Sequence, residues 1–323
     1  MNENAVQLVV AYDGTGFGGW QRQKNARSVQ EELEKALQII HGHPVRLTGA
    51  GRTDAGVHAL GQVAGFFSDL LTMPIDRFKP ALNSLLPKDI RVMSSKPAPA
   101  AFHARFDASL RRYRYFLLCG SVQDPFRNRY AWCMPRHPSL VKLNAMASVL
   151  LGEHDFSAFA SAGDSSLSRS RFIQESYFWY EGERLVYQVA ANAFLWRMVR
   201  SLVGTMIFFE AKTRSEAEAS ALMLSILESG DRKKAGPTAP PEGLFLWNVE
   251  YAARLHGHPR RKQEGCTDAE GGEAAGATAA SAEALETMAV DEDQKSLKTA
   301  EVLEIPEFPE VQGFPAAPVF KGS

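Results

Sequence analysis

Cysteine is scarce and scattered in this sequence. Cys119, Cys133 and Cys266 are the only three in 323 residues, and no two of them have the spacing of a zinc-ligand pair. An odd number of widely separated cysteines does not form a disulfide framework, so we expect a reducing, cytoplasmic environment and no metal site. His154 and Asp155 resemble half of a metal site, but no third ligand has a suitable spacing.

Long apolar segments are also absent. No run of residues approaches the roughly 20 apolar positions that a membrane-spanning helix requires. The N-terminal sequence MNENAVQLVV lacks the basic region and the long apolar stretch of a secretory signal. We therefore expect a protein that does not contact a membrane.

The net charge of −1 conceals an uneven distribution. From His256 to Ser323 the chain has six Lys and Arg residues against 13 Asp and Glu, whereas the 255 residues before it have 30 against 24. The moderately basic body suits a polyanionic partner. Residues 256–323 are rich in Ala, Gly and Glu and contain few large apolar side chains, so burial cannot offset the entropy cost of ordering them. We predict that this acidic tail is disordered.

Strand and helix patterns are mixed along the first 255 residues without strict alternation. Val6–Tyr12 is largely apolar and rich in β-branched residues, and Arg111–Cys119 combines arginines with aromatic and apolar residues; both patterns are typical of strands. In SVQEELEKALQII, Ser28 and Glu31 form a capping box ahead of apolar residues at helical spacing. Several predicted strands are joined by short turns. The pattern predicts an α+β fold with a largely antiparallel sheet rather than a doubly wound parallel sheet.

A glycine-rich turn, Gly14–Gly19, matches the GxGxxG pattern and follows a predicted strand. A dinucleotide site needs its helix to begin at the third glycine, but WQRQKNAR intervenes before the cap at Ser28, and no acidic residue ends a second strand at the required distance. A hairpin turn explains the glycines better. The residues that follow, Trp20, Gln21 and Arg22, offer an indole, an amide and a guanidinium that suit RNA bases and phosphates.

The segment GRTDAGVHALGQ places Asp54 in a tight connection between two predicted strands, HPVRLTGAG and QVAGFF. An aspartate in such a loop is most often a turn residue that bonds its own backbone. Arg52 and His58 lie within a few positions, and His58 is a further candidate for RNA contact. A desolvated carboxylate needs a cation to stay ionised, and an ionised carboxylate can attack carbon. Spacing alone leaves both interpretations of Asp54 open.

The predicted helix Leu195–Lys212 offers a candidate cation. Its apolar residues form one stripe, and Arg200 and Gly204 fall away from it. Arg200 either lies on a solvated basic face or points at an anion. In the second case Gly204, which has no side chain, would let another backbone segment approach the helix. Tyr113 alternates with Arg112 and Arg114 along a predicted strand, so the tyrosine and these two arginines face opposite sides. Either a core position or a base-stacking position would suit this tyrosine.

Together these stretches resemble the TruA family of tRNA pseudouridine synthases. Matching segments occur in the family's order over most of residues 6–251: AYDGTGFGGWQRQ, SVQEELEKAL, GAGRTDAGVHALGQV, FHARFDASLRRYRYFL, LLGEHDFSAF, ANAFLWRMVRSLVG and PEGLFLWNVEY. GRTDAGVHA combined with the YDGTGFGGWQ turn is highly specific. The resemblance implies an isomerase that converts uridine to pseudouridine at positions 38, 39 and 40 of the tRNA anticodon stem-loop. It also implies a homodimer that uses no cofactor.

The resemblance assigns a role to four residues. Asp54 matches the catalytic aspartate, and Arg200 matches the arginine that pairs with it. Tyr113 matches the tyrosine that stacks on the target base and has been proposed to assist proton removal. Arg52 matches the arginine thought to displace the base from the stack. Asp54 could attack C1′ or C6 or act as a base at C2′, and each route needs an ionised carboxylate.

The family fold is two α+β domains that share an antiparallel sheet with a basic cleft. It implies residues 1–110 as the domain that carries the aspartate loop and 111–255 as the second domain. The tail has no counterpart in the family core. Two local departures occur: Trp196 and Arg197 stand where the family pattern has His-His or similar, and Ser201 replaces the usual Asn.

Three other functions fit parts of the sequence. A non-catalytic RNA-binding or chaperone protein would explain the basic body and the aromatic turn, but not Asp54 beside Arg52. A nucleotide-dependent oxidoreductase would need the dinucleotide geometry that the glycine-rich turn lacks. A synthase acting on other RNA positions is the nearest rival.

Overall fold

The computed structural model describes residues 4–120 and 125–251. The predicted disordered tail, residues 256–323, lies outside the described residues. Within them the chain forms ten strands and five α-helices. The strands are β1 (Asn4–Tyr12), β2 (Thr48–Gly49), β3 (His58–Ser68), β4 (Ile90–Pro97), β5 (Ala108–Cys119), β6 (Trp132–Met134), β7 (Gly152–Asp155), β8 (Ser170–Glu181), β9 (Arg184–Ala191) and β10 (Leu244–Tyr251). The helices are α1 (Val29–His41), α2 (Phe78–Leu85), α3 (Leu140–Ser148), α4 (Met198–Glu210) and α5 (Glu216–Ser229).

All ten strands belong to one sheet, in the order β4-β1-β3-β10-β5-β9-β8-β7, with β2 beside β3 and β6 beside β5. The β10–β3 and β5–β6 pairs are parallel, and the other pairs are antiparallel. The α+β fold class with a largely antiparallel sheet is thereby confirmed. Because β5 runs through the boundary predicted near residue 110, the sheet is continuous there, and the division into two domains stays a prediction.

Buried side chains from all five helices join a single core cluster with one face of the sheet. Alternation along β5 decides which side chains point to that core. Tyr113 and Tyr115 lie in it, whereas Phe116 belongs to a smaller apolar cluster on the opposite face. Arg114 also lies on that opposite face, with its guanidinium 3.9 Å from the ring centre of Trp247. The predicted separation of Tyr113 and Tyr115 from Arg114 is confirmed.

Local sequence explains where α1 begins and ends. The Ser28 side chain accepts a hydrogen bond from the backbone N–H of Glu31, and Gly42 closes the helix in the left-handed conformation at φ 76°. The strand predicted over HPVRLTGAG shrinks to the two residues of β2. Val45 and Leu47 are buried in the core without pairing to a neighbouring strand, so their apolar character is not evidence of a strand.

None of the helices within residues 4–120 and 125–251 is both long enough and apolar enough to cross a membrane.

Candidate active site

The Asp54 loop connects β2 to β3 and packs against the glycine-rich turn and the residue that follows it, Trp20. The Trp20 backbone N–H donates to the Thr53 carbonyl at 3.1 Å. A Cβ added to Gly14 would lie 2.0 Å from the carbonyl oxygen of Val57, so only glycine lets the turn approach this closely. The GxGxxG pattern therefore serves contact between two loops.

Arg200 points at Asp54. Its Nη1 lies 2.8 Å from Asp54 Oδ2, and its Nε donates to the Ala239 carbonyl, also at 2.8 Å. The two charged side chains are 13% and 16% exposed, so water screens the pair only partly. Of the two interpretations of Arg200, the structure supports the anion partner. Because the guanidinium is held by both Asp54 and the Ala239 carbonyl, it stabilises the negative charge of the carboxylate in a fixed orientation.

Gly204 lies one turn after Arg200 and lets α4 contact a backbone segment. A Cβ added there would lie 1.9 Å from the Pro237 carbonyl oxygen. The same segment supplies the Ala239 carbonyl that orients Arg200, and its Ala239 N–H donates to the Arg200 carbonyl at 3.0 Å. The close approach expected from the sequence is present.

We expect Gly204→Ala to push this segment away from α4, since overpacking of this kind costs about 1–3 kcal/mol. Both the melting temperature and the activity should fall, because the Ala239 carbonyl moves with the segment. Thermal unfolding and turnover measure the two effects. Gly16→Ala is the matched control, since no atom lies within 4 Å of a Cβ added at Gly16. Equal melting temperatures of the two variants would contradict the expectation.

Tyr113 lies on β5 beside the Asp54 loop. Its hydroxyl oxygen is 3.8 Å from the position of a Cβ on Gly51, and its ring meets Phe194 edge to face at 5.1 Å. The side chain is buried in the core and also lines the cleft described below. Burial raises the pKa of the Tyr113 hydroxyl well above its usual range, so the group keeps its proton at neutral pH. It can therefore donate a hydrogen bond.

Three of the other predicted contact residues lie at the surface. Arg52 is exposed beside Asp54 and makes no hydrogen bond or ion pair within the part of the chain that the structure describes. Gln21 and Arg22 are also exposed and line the same cleft. The Arg22 guanidinium is 3.8 Å from Glu34, and its side chain is 70% exposed. All three side chains are accessible to a ligand.

Trp20 and His58 lie in the interior, contrary to the expectation that they contact RNA. Trp20 is 3% exposed, and its indole fills the space beside Gly49, where a Cβ would clash with the ring. His58 is 1% exposed, accepts the Gly14 N–H at 3.0 Å and stacks on Phe245. Burial lowers the pKa of His58, which keeps the ring neutral. Both rings are used for packing, so the structure does not present them to a ligand.

A cleft of about 670 Å³ contains Asp54 and is strongly basic. Seven arginines and two aspartates line it: Arg22, Arg52, Arg105, Arg111, Arg171, Arg197, Arg200, Asp54 and Asp164. Several of these arginines had no assigned role in the sequence analysis. Arg111 shares a face of β5 with Tyr113, so the alternation along that strand could have identified it. A surface of this charge suits a polyanion.

Trp196, which the sequence analysis noted only as a departure from the family pattern, also contacts Asp54. Its indole Nε1 donates to Asp54 Oδ1 at 2.9 Å. Trp196 lies before the first residue of α4, so the spacing of four residues to Arg200 is not a helical i, i+4 pair and could not show that both side chains reach the same carboxylate. Asp54 therefore has a donor on each of its two oxygens.

Comparisons with known proteins identify the family. The model of the tRNA pseudouridine synthase family matches residues 8–107 and 146–252. A Treponema denticola protein called tRNA pseudouridine synthase A is 48% identical over 259 residues, covering 79% of this chain and 95% of that protein. Proteins of the same name from Treponema pallidum and Thermoanaerobacter sp. are 43% and 42% identical, covering 72% and 76% of this chain and 83% and 99% of theirs. The chain belongs to the TruA family of tRNA pseudouridine synthases.

Proposed function

We propose that this protein isomerises uridine to pseudouridine at positions 38, 39 and 40 in the anticodon stem-loop of tRNA, with Asp54 as the catalytic residue. Membership of the family makes it an isomerase of the pseudouridine synthase class that acts on tRNA. The observation that carries the proposal is the Asp54–Arg200 ion pair inside a basic cleft. The choice of stem-loop and of positions rests on the family resemblance.

The reaction breaks the bond between C1′ and N1, turns the uracil and joins C1′ to C5. No atom is added or lost. Each candidate route, attack at C1′, attack at C6 or proton removal at C2′, begins from an ionised carboxylate. The Arg200 guanidinium 2.8 Å from Asp54 supplies the charge that stabilises it. A reaction through Oδ1 would leave the ion pair between Oδ2 and Arg200 intact.

The detached uracil must stay in place while it turns. Tyr113 offers a flat ring beside the Asp54 loop and a hydroxyl that keeps its proton, which suits stacking and hydrogen bonding to the base. A uridine inside a helical stem must first leave the stack, at a cost of a few kcal/mol. We assign Arg52 to fill the vacated position and offset part of that cost, and its exposure beside Asp54 supports this role.

The surplus of arginines in the cleft suits the phosphates of a stem-loop. Phosphate contacts release counterions, so the affinity for tRNA should fall as the salt concentration rises. These contacts position the RNA without reading its sequence.

The proposal includes a homodimer in the cytoplasm. On the sheet face opposite the helices, the Arg114 guanidinium lies between the rings of Trp247 and Trp179, at 3.9 and 5.3 Å from their centres. Tyr177 on this face is 43% exposed. None of the described helices contributes to the apolar cluster of this face, so it is available to a second copy. The molar mass of the purified protein in solution tests this part.

Mapping pseudouridines tests the function. We expect tRNA from cells that lack the gene to contain uridine at positions 38 to 40, and we expect the purified protein to restore pseudouridine there. Transcripts with cytidine at these three positions are the control and should not be modified. Loss of pseudouridine at other positions, with 38 to 40 unchanged, would contradict the proposed site and favour a synthase of different specificity.

A further inference from the structure

The carboxylate of Asp54 is engaged on both sides. Arg200 holds Oδ2 and is itself fixed by the Ala239 carbonyl. The indole N–H of Trp196 covers Oδ1, the oxygen that Arg200 leaves available for chemistry. A hydrogen bond to a carboxylate stabilises the charged form and makes the oxygen a weaker nucleophile and base. Loss of the bond from Trp196 would therefore make Oδ1 more reactive.

The backbone of Trp196 is fixed, but its side chain has room to move. The backbone N–H donates to Asp164 Oδ2, and the backbone carbonyl accepts from the Ser161 N–H at 3.2 Å. The side chain is 45% exposed, which is unusual for a tryptophan that serves only in packing. Movement at this position is consequently rotation of the side chain.

The next residue directs the indole into the cleft. Arg197 has φ 61° and ψ 11°, and it is the only non-glycine with positive φ within residues 4–120 and 125–251. This conformation costs energy for any residue with a Cβ, and such strain concentrates at functional sites. The Arg197 guanidinium lies 4.8 Å from the centre of the Trp196 ring. Gly163 leaves space on another side, since a Cβ there would be 2.8 Å from the ring.

We propose that Trp196 is a positioning residue that occupies the place of the target uracil in the free protein and is displaced when tRNA binds. The indole is a flat ring system with a hydrogen-bond donor, and it lies between Asp54 and the open cleft. It keeps the carboxylate oriented until a flipped base takes its place. The proposal rests on the proposed function, in which Asp54 acts on an everted uridine.

Trp196→Phe separates displacement from a direct part in the reaction, because it keeps an aromatic ring and removes the donor. We expect KM for tRNA to fall about three- to tenfold, since binding no longer has to break a hydrogen bond to a charged group. We expect kcat to stay within about twofold, because the indole has already left when the reaction occurs. A tenfold or larger loss of kcat would show that the N–H acts during the reaction and would overturn the proposal. An unchanged KM would overturn it as well.

Fluorescence reports the movement directly. Five tryptophans emit in this chain, so the difference between wild type and Trp196→Phe isolates the emission of Trp196. We expect the emission of Trp196, measured as this difference, to change when tRNA binds. Trp132→Phe removes a different indole and is the control, so it should keep the tRNA-dependent change in emission. If tRNA binds and the difference does not change, displacement does not occur. If the difference changes and no pseudouridine forms, the proposed function fails while displacement stands.

Discussion

Asp54→Asn and Asp54→Ala are expected to form no detectable pseudouridine while still binding tRNA. Removing the ionised carboxylate should lower kcat by at least about 10⁴-fold, the scale of loss when an enzyme is deprived of a catalytic group. Both substitutions also remove a negative charge from a cleft lined by seven arginines, so the affinity for tRNA should stay equal or increase. Single-turnover assays and binding measurements at one salt concentration separate the two effects.

Asp76→Asn is the matched control for Asp54→Asn. Asp76 is exposed and does not line the cleft, so its substitution changes the net charge by the same amount away from the site. This control should keep wild-type turnover. Turnover retained by either Asp54 variant would show that another group carries out the reaction.

Arg200→Gln should lower kcat by about 10²- to 10³-fold, the effect of removing one preorganised electrostatic partner from an active site. Arg200→Lys should fall between this variant and wild type. An ammonium keeps the charge but is compact, so it cannot both reach Asp54 and bond the Ala239 carbonyl as the guanidinium does. Steady-state kinetics of both variants at saturating tRNA measure the effect on kcat.

Arg214→Gln removes a positive charge from an exposed position that does not line the cleft, and it should behave as wild type. We therefore expect wild type and Arg214→Gln to have equal and highest activity, Arg200→Lys to be lower, and Arg200→Gln to be lowest. Equal activity of Arg200→Lys and wild type would mean that charge alone suffices and that the held geometry has no role.

Local signals in the sequence predicted much of the fold. The cap at Ser28 and the alternation along β5 depend on neighbouring residues only, and both are present in the structure. The shortness of β2 could not be predicted, because Val45 and Leu47 have the apolar character of a strand but are buried without a strand partner. Burial and pairing are separate properties, and a single sequence reports only the first.

Sequence spacing alone predicted less of the site than of the fold. Asp54 and Arg200 are 146 residues apart, so no local pattern could show that their side chains meet. The family resemblance named both residues, and the structure shows their ion pair. The indole of Trp20 suits RNA contact by its chemistry, and His58 was a further candidate, but neither observation reports burial. Gly49, which is distant from Trp20 in the sequence, leaves the space that its indole fills in the core.

The position of β10 has a consequence for synthesis. It is the last described strand to leave the ribosome, yet it lies at the centre of the sheet, between β3 and β5. Until β10 arrives, the inner edges of β3 and β5 are paired only in part, by β2 and β6, and their open stretches are prone to pairing with other chains. Asp54 is next to β3 and Tyr113 is on β5, so the two sides of the cleft come together only at that late step.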